Sequence, residues 1–151
     1  MVQKTFKVSE VQLSFKPNYK IKKRPHIKGS EDAYKTFIEQ WNLNTIGFIE
    51  EFKIILTNKK DRVLGLYNIS SVGTLELAFA PKIVTTTALT FEASKLILAH
   101  NTLNGQIEPS KLDLSIANKL NICATLIDIE ILDYMIINKD WYYSFRDYGI
   151  L

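Results

Sequence analysis

The stretch between His100 and Asp113 constrains the fold of this chain more than any other part of the sequence. It follows a short apolar run, residues 96–99, which predicts a buried strand that ends at His100. An Asn-Gly turn pair follows, and Ser110 then opens a predicted helix that carries Asp113 in its first turn. An imidazole at a strand end and a carboxylate in the next helix can converge, and zinc accepts both as ligands. The pattern therefore predicts a strand–loop–helix unit with two candidate ligands, which alone do not make a zinc site.

Length and composition indicate a single domain. The chain has 151 residues, of which 46% are hydrophobic, enough for one sizeable core. Its apolar runs are all well short of the ~18–20 residues that span a bilayer, and no signal peptide precedes the first predicted strand, so we expect a cytoplasmic protein. The single cysteine, Cys123, excludes an internal disulfide framework and is predicted to be a core residue rather than a nucleophile.

Positive charge is concentrated at the N-terminal end. Residues 1–30 contain eight Lys or Arg and one acid, a net charge of +7, whereas the whole chain carries +3. We interpret residues 1–28 as a basic strand and linker, and residues 29–151 as the domain. Such a segment can bind nucleic acid phosphates, or it can be a solvated linker whose lysines discourage aggregation. The candidate nucleic-acid-binding residues are Lys20, Lys22, Lys23 and Arg24.

The remaining elements predict an α+β fold, a mixed sheet with helices packed against it. Ser30 is the candidate N-cap of the first helix, and Glu31 and Asp32 suit its positive terminus. Predicted strands cover residues 8–15, 48–56, 63–67, 129–137 and 141–145, with hairpin turns at 58–62 and 138–140. Further predicted helices are residues 81–93 and the one after Ser110, whose apolar stripe is Leu112, Ile116, Leu120 and Cys123.

Several positions around His100 match a known metal motif in register: Leu98, Ala99, His100, Asn101, Gly105, Pro109, Ser110 and Asp113. In these the chain resembles the RadC-like group of JAB/MPN-domain metallohydrolases, whose motif reads His-x-His-Pro and then Ser-x-x-Asp. The resemblance extends from about Gly29 to the last residue. The chain departs from the motif at Thr102 and Leu103, which replace the second His and the Pro, and at Tyr134, which replaces a further His of the relatives.

The resemblance implies a curved mixed sheet flanked by helices, the cytidine-deaminase-like architecture of JAB/MPN domains. It also implies that His100 and Asp113 are zinc ligands, with Thr102 at the lost ligand position. Ser110 and Glu50 become the candidate catalytic residues, Glu50 as the general acid/base that moves a proton from zinc-bound water to the leaving group. The residues alone leave open that Glu50 is a surface carboxylate at a strand end.

Two functions follow as alternatives. A catalytic zinc normally has three protein ligands and one open position, and the hydroxyl of Thr102 is a poorer ligand than imidazole. We therefore expect zinc to be weak or absent, and the chain to be a catalytically impaired RadC-like protein, or pseudoenzyme, that binds a protein or DNA and no membrane. The alternative is a zinc hydrolase of peptide or isopeptide bonds. The RadC name is associated with DNA repair, but no residue here indicates that activity.

Overall fold

The structure is a computed structural model, and it describes residues 20, 23–69 and 74–151. The predicted strand over residues 8–15 lies outside that part of the chain. The elements, in chain order, are α1 (Ser30–Glu39), β1 (Phe52–Thr57), β2 (Val63–Ile69), α2 (Leu75–Ala78), α3 (Pro81–Thr90), β3 (Lys95–Asn101), α4 (Lys111–Leu126), β4 (Glu130–Ile137) and β5 (Tyr142–Ser144).

Within the described residues the strands form one mixed sheet in the order β2-β1-β3-β4-β5. The β1–β2 and β4–β5 pairs are the two predicted hairpins, both antiparallel. The β3–β4 pair is parallel, and α4 makes the connection between them, as parallel strands require a long crossover. The predicted α+β class, with a mixed sheet flanked by helices, is thus confirmed.

Alternate residues of the central strands enter two separate cores, because successive side chains of a strand point to opposite faces. On β3, Leu96 and Leu98 pack with α3 and α4, whereas Ile97 and Ala99 pack with α1. His100 continues the first of these series, so its ring lies on the α4 face at the carboxyl end of the strand. This placement directs the imidazole toward the beginning of α4.

The observed α4 buries a different stripe from the predicted one. Ile116 and Leu120 are buried as expected, but Leu112 is 40% exposed and Asp113 is 4% exposed. A carboxylate occupies the inward position because its hydrogen-bond partners come from the sheet and from the residue that caps the helix. Cys123 is half-buried rather than fully in the core.

Two other local predictions need correction, and one helix lacks a prediction. The N-cap of α1 is Gly29, because the hydroxyl of Ser30 is engaged by Asp147 and Tyr142 instead of by the helix. Residues 48–51 form a turn and a bend before β1 rather than a strand. The short helix α2, capped by the side chain of Thr74, was not predicted.

The last residues of the basic segment belong to the fold. Ile27 is buried in the core beneath α1, and its backbone N–H donates to the carbonyl of Asp61 at 2.9 Å. The carbonyl of Pro25 accepts from the N–H of Val63 at 2.9 Å, at the start of β2. Residues 25–27, which the sequence pattern places in the linker, therefore bond to and pack against the domain.

Candidate functional site

The candidate site forms where β3 ends and α4 begins. Ser110 is the N-cap of α4 and forms a capping box with Asp113: its Oγ accepts from the Asp113 N–H, and its own N–H donates to Asp113 Oδ2. The cap fixes the Asp113 carboxylate beside the end of β3, where His100 Nε2 lies 2.8 Å from Asp113 Oδ1. The two residues that the sequence pattern singled out are therefore brought into direct contact.

The Asp113 carboxylate accepts four hydrogen bonds from three residues. Oδ1 accepts from His100 Nε2 at 2.8 Å and from the Tyr134 hydroxyl at 3.0 Å. Oδ2 accepts from the Ser110 N–H at 2.8 Å and from the Ser110 Oγ at 2.6 Å. A carboxylate offers about four acceptor positions, so all of them are used.

These bonds favour the ionised carboxylate. Burial alone would raise the pKa of Asp113, but the hydrogen bonds from His100 and Ser110 outweigh it and lower the pKa to about 2. Since an ionised carboxylate only accepts, the Nε2 of His100 must carry a proton. Burial, and then the negative charge of Asp113, raise the pKa of Tyr134 far above its ordinary value, so its hydroxyl remains a neutral donor.

This arrangement does not fit a zinc ion. Two ligands of a tetrahedral zinc, each about 2.1 Å from the metal, lie about 3.4 Å apart, whereas His100 Nε2 and Asp113 Oδ1 are 2.8 Å apart and joined by a hydrogen bond. Thr102, at the position of the family's second His, has a buried Oγ1 with no hydrogen-bond partner in the described part of the chain. Among the described residues no group of three or more His, Cys, Asp or Glu side chains is arranged to hold a metal ion.

Glu50 lies on the solvent side of the same imidazole. Its Oε1 is 3.8 Å from His100 Nδ1, and its side chain is 39% exposed. The loop that carries it is fixed by the buried amide of Asn101, which donates to the carbonyls of Ile46 and Ile49 and accepts from the Glu51 N–H. Glu51 instead pairs with the buried Lys53. The structure thus brings Glu50, His100 and Asp113 together.

Asn101 and Tyr134 complete the site, and sequence reasoning did not give either of them a role. Asn101 lies in the matched motif, but its amide bonds to residues more than 50 positions away, so the sequence around it does not indicate this role. Tyr134 was noted only as a departure from the relatives. A tyrosine followed by the apolar residues 135–137 in a buried strand is the signal that was present, because a buried hydroxyl requires a partner.

The candidate nucleic-acid-binding residues are not equivalent in the structure. Lys20 and Lys23 are exposed, whereas Arg24 is 5% exposed and its carbonyl accepts from Arg62 Nη1. Lys22 lies outside the described residues. Only Lys20 and Lys23 of the four are therefore seen at the surface, where a phosphate could reach them.

Beside the site, several apolar side chains are exposed around a cavity of about 350 Å³. Phe48 is 82% exposed, and Leu43 and Leu103 are each about half exposed. Thr102 also lines this cavity, so the cavity adjoins the altered motif. Separately, no helix in the described part of the chain is long and apolar enough to cross a membrane.

Comparison with known proteins gives a consistent result. A family model described as RadC-like JAB domain matches residues 27–150. The chain is 33% identical over 117 residues to a UPF0758 protein of Clostridioides difficile, covering 76% of this chain and 49% of that protein. It is 30% identical over 136 residues to one of Porphyromonas gingivalis (89% and 59%) and 38% identical over 104 residues to one of Symbiobacterium thermophilum (68% and 44%). The chain thus spans about half the length of the curated relatives it matches.

Proposed function

This chain belongs to the RadC-like JAB domain family. We propose that, within this family, it is a binding module without zinc hydrolase activity. The proposal combines the shared domain with a departure at the positions where the family resemblance implies a metal. Fold alone does not decide function, so the argument depends on the site.

The observation that carries the proposal is the saturated carboxylate of Asp113. Its four acceptor positions are filled by His100, Tyr134 and Ser110, so it has no lone pair to give to a metal. Thr102 supplies a hydroxyl where the family's second imidazole would be, so one of the family's metal ligands is also missing. Loss of a hydrogen-bond partner of a ligand costs ~10–100-fold in metal affinity, and loss of a ligand should cost more.

The surface beside the site supports a protein as the partner. Contiguous exposed apolar side chains on a soluble domain are typical of interaction surfaces, and Phe48, Leu43 and Leu103 surround a cavity next to Thr102. A polar rim is present in the same cavity, where Asn138, Lys139 and Asp140 line one side. Such a combination of apolar centre and polar rim is the usual composition of a binding interface.

Metal analysis tests the proposal. Protein purified without chelator and without a metal-affinity tag should contain well under one equivalent of zinc, measured by inductively coupled plasma mass spectrometry. A bound zinc that is stoichiometric and resists chelator would contradict the proposal. Measuring the same sample after incubation with excess zinc and desalting separates a site that was emptied during purification from one that does not bind.

One contact favours a second candidate function, the zinc hydrolase of peptide or isopeptide bonds. Glu50 lies 3.8 Å from the His100 ring, close enough to serve as the acid/base that the family resemblance implies. In that case His100, Asp113 and a third group would hold the zinc. The metal analysis also decides this alternative, because it requires one tightly held zinc per chain.

A further inference from the structure

We propose that the Tyr134 hydroxyl takes the place of the metal ion at this site and is the group that keeps zinc out. This inference rests on the proposed function, since it explains how the domain holds the site together without a metal. It assigns Tyr134 a positioning role: it acts through Asp113, to which its hydroxyl donates at 3.0 Å.

The geometry gives Tyr134 direct control of the carboxylate oxygen that faces the imidazole. Tyr134 lies on β4 opposite Leu98 of β3, so its ring is on the same face of the sheet as His100. Both donors converge on Asp113 Oδ1, one from each strand. In a metal site a cation would interact with this oxygen, whereas here one O–H group and one N–H group donate to it.

Tyr134 cannot easily swing aside to admit a metal. Its side chain is fully buried, with ring centroids 4.7 Å from Phe145, 5.6 Å from Phe79 and 5.9 Å from His100. Rotation of the phenol away from Asp113 would have to displace these rings, and it would leave a buried hydroxyl without its acceptor. Both effects oppose the change, because close-packed interiors tolerate little movement and unsatisfied buried polar groups are costly.

A specific consequence distinguishes this inference from simple ligand loss. If Thr102 were the only defect, Thr102→His would restore zinc binding by itself. If Tyr134 also holds Asp113 Oδ1, Thr102→His alone should gain little, and removal of the hydroxyl in the same chain should release the second ligand. The effect of removing a competing partner of a ligand should be of the same order as other changes around metal ligands, ~10–100-fold in affinity.

The test compares zinc affinity in the full-length chain, measured by competition with a chromophoric chelator. Thr102→His/Tyr134→Phe is expected to bind zinc ~10–100-fold more tightly than Thr102→His. Thr102→His/Tyr143→Phe is the matched control, because Tyr143 is a half-buried tyrosine of β5 outside this hydrogen-bond network, and it should bind like Thr102→His. Equal affinities for the Thr102→His and Thr102→His/Tyr134→Phe chains, whether both tight or both weak, would overturn the inference.

A measurement on the unaltered protein keeps the inference testable if the double variant does not fold. The Tyr134 hydroxyl proton should be protected from exchange and visible by NMR, with a nuclear Overhauser contact to the His100 ring. A rapidly exchanging hydroxyl would overturn the inference. The two failures are distinguishable: stoichiometric zinc in the unaltered protein removes both proposals, whereas a metal-free protein with equal variant affinities removes only the role of Tyr134.

Discussion

Asp113 and Asp133 are both buried, yet their surroundings shift the two carboxyl pKa values in opposite directions. At Asp113, burial raises the pKa, but bonds from His100 and Ser110 prevail and lower it to about 2. At Asp133, burial again raises the pKa, and the bonds from Ser144, Arg146 and Tyr134 only partly oppose it, so the pKa is about 6. The difference arises because Asp133 receives three donors and has Asp147 nearby, whereas Asp113 receives four and includes the imidazole.

Because the pKa of Asp133 is raised, we expect the free energy of unfolding to fall as the pH rises through weakly acidic values. The folded-state pKa of about 6 lies above the ordinary 3.8, so the folded chain binds the proton more tightly than the unfolded chain. The stability from this proton is fully present below about pH 4 and is lost as the pH rises to about 6. The shift corresponds to about 3 kcal/mol, an upper figure for one buried group.

Asp133→Asn should flatten this pH dependence. The amide can still accept from the backbone N–H groups of Tyr134 and Arg146, and it has no proton to lose. Urea unfolding at pH 4.0 and at about pH 6.5 measures the change in the free energy of unfolding. Asp128→Asn is the control, because Asp128 is exposed and its positive φ suits Asn equally well. The same pH dependence in Asp133→Asn and the unaltered chain would contradict the assignment.

Asp113 does not interfere, since its lowered pKa removes stability only as the pH falls from about 4 through about 2.

At the scale of single elements, the beginning of α4 has two tasks. Ser110 caps the helix, as many serines do, and it also supplies two of the four donors to the Asp113 carboxylate. The cap therefore links the helix to the strand end, because Asp113 in turn binds His100 of β3. An ordinary cap stabilises only its own helix.

Ser110→Ala should consequently destabilise the domain more than the loss of a cap alone. A lost N-cap costs about 1 kcal/mol, and a lost hydrogen bond to a buried carboxylate adds about 1.5–3 kcal/mol. Thr74→Ala is the matched control, since the Thr74 side chain caps α2 by accepting from the Leu77 N–H and, among the described residues, donates to no buried carboxylate. Equal losses of unfolding free energy in urea would mean that Ser110 is no more than a cap.

Local pattern predicted those elements whose signals lie within a few residues. Strand β3, helix α4 with its capping residue, and the two hairpins follow from apolar runs and turn residues alone. The errors occur where a distant partner decides. Ser30 is of a residue type that is common at N-caps, but its hydroxyl donates to Asp147, 117 positions away. Asp113 replaces Leu112 on the inner face of α4 because Tyr134 and His100 supply its partners.

At the scale of the whole molecule, the basic segment is divided by its contacts. Ile27 is a core residue, and the carbonyls and N–H groups of residues 25–27 bond to the chain around Asp61 and Val63. Arg24 is buried with them, whereas Lys20 and Lys23 remain exposed. Among the described residues of the segment, the basic side chains exposed to a phosphate are therefore Lys20, Lys23 and Lys28.

This division predicts where any binding to nucleic acid resides. Lysines on phosphates release counterions, so log K falls with log salt at a slope of about −0.9 per contact. If four of the lysines Lys16, Lys20, Lys22, Lys23 and Lys28 contact phosphates, raising the salt from about 50 to about 200 mM should weaken binding by roughly 10². The binding should show no sequence preference. Removal of residues 1–23 should abolish the binding measured by fluorescence anisotropy on duplex DNA and leave the melting temperature nearly unchanged. Removal of residues 1–28 should also lower the melting temperature, because it deletes Ile27 from the core. If the full chain shows no binding at about 20 mM salt, where this attraction is strongest, the nucleic-acid role is excluded and a protein partner is the role that is left.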